Sequence, residues 1–81
     1  MYLKFIRGFI MNLKSYIDDA GGAYTVASWV NLTPRAIYRW IYKDALPATE
    51  FSGKTKYSEI IEINTKGRVT KSMLLSVGKP K

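Results

Sequence analysis

Residues 24–43, YTVASWVNLTPRAIYRWIYK, decide the fold. Val26, Ala27 and Val30 recur at the spacing of one helix face, and Ala36, Ile37, Trp40 and Ile41 do the same further along. Asn31, Leu32, Thr33 and Pro34 stand between the two runs. A tight turn between helices needs a residue in the left-handed region, and Asn tolerates it best after Gly. Thr33 is a favoured N-cap and Pro34 a favoured first helical residue. The stretch predicts two short helices meeting in a helix-turn-helix, with the second ending near Lys43 and closed by Asp44-Ala45-Leu46-Pro47.

The second helix has two unlike faces. With Arg35 at zero and about 100° per residue, Tyr38, Tyr42, Arg35, Arg39 and Lys43 fall between roughly 300° and 80°. Ala36, Trp40, Ile37 and Ile41 fall between roughly 100° and 240°. One face is apolar and suits a small core, with Trp40 expected inside it. The other carries three cations and two phenols and no carboxylate. Such a face suits a DNA major groove, where cations meet phosphates and Arg can read guanine edges. The competing reading is an ordinary helical hairpin with a solvated basic face. Tyr38 could also pack sideways on the preceding helix, and Trp29, turned away from Val26, is expected to be half-exposed.

The helix pair makes further demands that these residues meet. Two helices can cross closely only over a small residue, and Ala27 supplies it. An apolar residue must follow the turn, and Leu32 does. A buried apolar residue must come four or five positions later, and Ile37 does.

Eighty-one residues make one domain with a modest core. With 47% hydrophobic and 23% charged residues the chain is expected to fold and not to remain disordered. The net charge of +7 calls for an anionic partner, nucleic acid or membrane surface. The absence of Cys and His removes disulfides, thiolate metal sites and His-based catalysis. The adjacent Asp18-Asp19 side chains diverge on a helix and read as a solvated face. No catalytic residue, metal or cofactor is expected.

Residues 1–10, MYLKFIRGFI, are too short an apolar run for a signal peptide or a membrane span. They read as an N-terminal extension, alternatively as a helical arm supporting a dimer. Leu13, Tyr16 and Ile17 mark a first helix that Gly21-Gly22 stops. Residues 51–57 look like an exposed connection. Tyr57, Ile60, Ile61 and Asn64 follow helical spacing up to Gly67, while Ile60 to Ile63 and Arg68 to Thr70 also fit a short β-hairpin. The expected architecture is mainly α, a compact bundle of about five short helices, with a hairpin as the C-terminal alternative. The DNA-binding domain is placed at residues 11–75, with 76–81 as a disordered basic tail. Lys54, Lys56, Lys66, Arg68 and Lys71 are expected to act on phosphates or through a general field.

AYTVASWVNLTPRAIYRWIYKDALP, residues 23–47, resembles the helix-turn-helix of the Cro family of bacteriophage repressors and related prophage regulators. The likeness lies in Val26-Ala27, Leu32-Thr33, Ala36-Ile37-Tyr38, Arg39-Trp40 and Leu46-Pro47. YSEIIEINTKGRVTKSMLL resembles the C-terminal part of such proteins. Asn31 departs from the usual Gly, and residues 1–10 have no counterpart. The resemblance implies a small cytoplasmic repressor that binds palindromic double-stranded operator DNA in a bacterial host, as a homodimer at least on DNA, without membrane or small-molecule substrate. Carried onto this chain, it starts the DNA-binding recognition helix at Thr33 and turns Pro34, Arg35, Tyr38 and Arg39 to the groove, with Lys43 on the same face, and Thr25 and Ser28 at the backbone. The rival expectations are a basic adaptor or antirepressor that binds protein, and a membrane-surface peptide.

Overall fold

The computed structural model describes residues 12–79. Residues 1–10, read above as an extension or arm, lie outside the described residues. Among the described residues there are six helices and no strand: α1 Leu13–Asp19, α2 Ala23–Val30, α3 Pro34–Lys43, α4 Ala48–Ser52, α5 Tyr57–Asn64 and α6 Lys71–Val77. Helix α2 packs against α3 and α5, and α1 bridges α2, α3 and α6. The core takes in Leu13, Ile17, Val26, Ala27, Val30, Ile37, Trp40 and Ile61, which the helical spacing picked out, joined by Ala20, Ala23, Leu46, Val69 and Leu74, while Tyr16, Ala36 and Ile41 of the same spacing are half-buried.

Local chemistry sets each helix end. Asn12 caps α1 by accepting from Ser15 N, and Gly21 and Gly22, with φ of 121° and 96°, end it. Asn31 takes the left-handed conformation, φ 61° and ψ 43°, and Leu32 N–H reaches back to the Ala27 carbonyl at 3.0 Å. The Asn thus does the work of the turn glycine. Thr33 accepts from Ala36 N, and Pro34 opens α3, as expected. Asp44, also left-handed at φ 52°, closes α3. Its carboxylate accepts from Leu13 N at 3.0 Å, tying the end of α3 to the start of α1.

The hairpin alternative is not borne out, because residues 57–64 are helical. Ile61 is buried, Tyr57 and Ile60 pack at the core edge, and Ile63 faces solvent. That distribution is helical and not alternating. Lys66 and Gly67 do adopt positive φ, 57° and 86°, as a hairpin turn would. Here they serve a helix end: Gly67 N–H donates to the Glu62 carbonyl at 3.0 Å. Val69 N–H donates to Thr65 Oγ1 at 3.1 Å instead of to a partner strand.

Two further differences stand out. The connection expected at 51–57 begins as α4, a five-residue helix too short to show periodicity. The packed unit also runs past residue 75 into the expected tail. Helix α6 continues to Val77, Gly78 is buried, and the Gly78 carbonyl accepts from Leu46 N at 2.8 Å. A side chain at Gly78 would meet Leu46 Cγ at 2.8 Å, so this close approach needs glycine.

Candidate nucleic-acid interface

Helix α3 is held from behind and bare in front. Ile37 and Trp40 are buried, the Trp40 ring lying 5.4 Å from that of Tyr57, while Ala36 and Ile41 are half-buried along the flanks. This fixes the rotation of the helix. The opposite face then presents Arg35, Tyr38, Arg39, Tyr42 and Lys43, all exposed. Tyr42 reaches 91% exposure, large for an aromatic residue on a packed helix.

The expected residues fall into three groups. Thr33, Arg35, Arg39 and Lys43 share one concavity of about 650 Å³, whose apolar wall is Trp40, Leu46 and Pro47. Tyr38 lies on the other flank of α3, beside Tyr24 at the start of α2. Thr25 is half-buried and Ser28 exposed on α2, and Pro34 serves the helix start. The alternative of sideways packing for Tyr38 is thus partly realised. Its ring meets Tyr24 edge-on, yet it remains 51% exposed.

Hydrogen bonding refines these roles. Ser28 Oγ donates to the Thr25 carbonyl at 2.7 Å. An ionised phosphate oxygen only accepts, so Ser28 must release that bond before it can contact one. Thr33 Oγ1 accepts from Ala36 N and keeps its hydrogen for donation outward.

Among the described residues the ion pairs are Lys14–Asp18 at 2.8 Å and Lys71–Glu59 at 3.0 Å, neither involving an α3 cation. The hydrogen bond to Asp18 holds the Lys14 ammonium above its ordinary range, and the bond from Lys71 holds the Glu59 carboxyl below its own. Arg68 donates to the Asp19 carbonyl at 2.9 Å, capping the end of α1. Of the five cations assigned to phosphates or a general field, Arg68 and Lys71 therefore have structural partners.

Two features escaped the sequence reading. One is Tyr24, which is 70% exposed and lies outside the Val26-Ala27-Val30 face, the signal that could have found it. The other is the wall formed by Ala45 to Ala48, which no local pattern announces because it depends on Leu46 being pinned by Gly78. No helix among the described residues is long and apolar enough to cross a membrane.

No family profile matches the chain, and no solved structure matches it. Over 54 residues it is 39% identical to the 8.4 kDa cro protein of Escherichia phage HK022, a match covering 67% of this chain and 71% of that protein. The helix-turn-helix geometry and this relationship agree, and the chain belongs to the Cro family of bacteriophage regulators.

Proposed function

We propose that this regulator represses transcription by binding a palindromic operator in double-stranded DNA as a homodimer, in the cytoplasm of a bacterial host. Helix α3 enters the major groove. Arg35 and Arg39 read base edges, most favourably guanine, and Tyr38 contributes beside them. Lys43, Thr33 and the hydroxyls of Thr25 and Ser28 meet the backbone. The carrying observation is the exposed face of α3, where three cations and two phenols stand without a carboxylate while Ile37 and Trp40 fix the helix from behind. The dimer follows from reach, since one ten-residue helix covers few base pairs and two-fold symmetry doubles the contacts.

The test is selection of bound sites from random duplex DNA. The expected product is an inverted repeat with half-site centres about 34–36 Å apart, one helical turn. Affinity should fall steeply with salt as counterions are released. Failure to enrich any sequence, with binding to protein partners that is insensitive to salt, would favour the adaptor instead.

A further inference from the structure

We infer that Tyr24 is a positioning residue for Tyr38, holding that side chain in the orientation it presents to DNA; this rests on the groove-facing assignment of α3 proposed above. Tyr24 is the second residue of α2, and Tyr38 lies on the second turn of α3. Their ring centroids are 6.3 Å apart with planes at 76°, an edge-to-face pair. The pair sits at the surface, with Tyr24 70% and Tyr38 51% exposed. The core therefore does not require it. Both rings line a hollow together with Lys14, Asp18 and Ile41.

An isolated surface tyrosine samples several rotamers, and docking must select one at an entropic cost. The Tyr24 ring occupies one side of that space and attracts the Tyr38 ring through edge-to-face electrostatics. Tyr38 is thereby set beside the Arg35 and Arg39 stripe before DNA arrives. Its phenol can donate to a base acceptor, and its ring edge can meet a thymine methyl. The attraction needs the ring of Tyr24 and not its hydroxyl, whereas a direct contact from Tyr24 to phosphate would need the hydroxyl. Two substitutions separate these roles.

Affinity is measured on the selected duplex and on a random duplex for wild type, Tyr24→Phe, Tyr24→Ala, Tyr38→Ala and the Tyr24→Ala/Tyr38→Ala double variant. Tyr24→Ala should weaken selected-site binding by about 2- to 10-fold with little change on random DNA. Tyr24→Phe should restore wild-type affinity, and Tyr24→Ala should add nothing once Tyr38 is alanine. Without DNA, the NMR shifts of the Tyr38 ring protons should move in Tyr24→Ala and persist in Tyr24→Phe. Matching melting curves check that each variant is folded. Tyr24→Phe as weak as Tyr24→Ala, additive effects in the double variant, or unmoved Tyr38 shifts would each overturn the inference. A wild type that binds no duplex overturns the DNA-binding reading along with it; a wild type that binds while Tyr24→Ala is unaffected overturns the positioning role alone.

Discussion

Trp40 and Asn31 tie sequence to fold by different physics, one through packing and the other through backbone conformation. Trp40 is 6% exposed, plugs the space behind α3 and lies against Tyr57. Trp40→Ala leaves a void that a core this small cannot refill, at a cost of about 3–5 kcal/mol. Thermal or urea unfolding should show a domain unfolded or severely destabilised, and an unchanged midpoint would contradict the burial of Trp40. Asn31 holds φ at 61°, where a Cβ crowds the backbone. Asn31→Ala should cost roughly 1 kcal/mol, while Asn31→Gly relieves the strain and should leave the midpoint unchanged or raised. If both variants melt alike, Asn31 stabilises the turn by some means other than its backbone conformation. Both residues were legible in the sequence. Trp40 falls in the apolar sector of an unambiguous helical pattern, and Asn31 stands between two helices before a Thr-Pro start signal.

At the scale of elements, the helix ends explain what was not legible. Glu50 on α4 is buried, and its carboxylate accepts from Tyr57 N at 2.9 Å, Ser58 N at 2.8 Å and the Thr55 hydroxyl. It caps α5 from another helix, because Lys56 at the N-cap offers no side-chain acceptor. Glu50→Ala should leave the buried Ser58 N–H and the part-buried Tyr57 N–H without this acceptor, costing about 1–3 kcal/mol, and Glu50→Gln should recover part of it. Amide hydrogen exchange at Tyr57 and Ser58 is the direct readout, with faster exchange expected in Glu50→Ala. Protection unchanged from wild type would show that the cap is dispensable. Nothing in the order of residues marks Glu50, since its partners lie five to eight positions away, beyond its own helix. The same holds for Asp44 on Leu13 and Arg68 on Asp19. The helix-or-hairpin ambiguity over residues 57–70 has a local cause too. The positive φ of Lys66 and Gly67 suits a helix end as well as a hairpin turn, and the burial of Ile61 and Val69 in a helical core, with Ile63 exposed, decides between them. The candidate interface divides in the same way. Arg35, Arg39 and Lys43 could be placed from periodicity within α3, whereas the Tyr24–Tyr38 pair and the Leu46-Pro47 wall depend on tertiary contacts.

Across the whole molecule, cations are spread over several elements, and packing distinguishes the face of α3. The C-terminal part, residues 51–81, holds seven cations against two acids, but Lys71 is paired with Glu59 and Arg68 with a carbonyl. The α3 cations enter neither ion pair among the described residues, and they sit on a helix whose rotation the core dictates. The central proposal is that this helix reads sequence, while cations elsewhere add field. The measurement that tests it most directly is the affinity of Arg35→Ala and Arg39→Ala, each on the selected duplex and on a random one at fixed salt. At least one substitution should cost about 1–3 kcal/mol on the selected duplex and far less on random DNA. Equal proportional losses on both duplexes for both variants would contradict the account, making α3 a phosphate clamp and moving specificity to DNA shape or to another part of the chain.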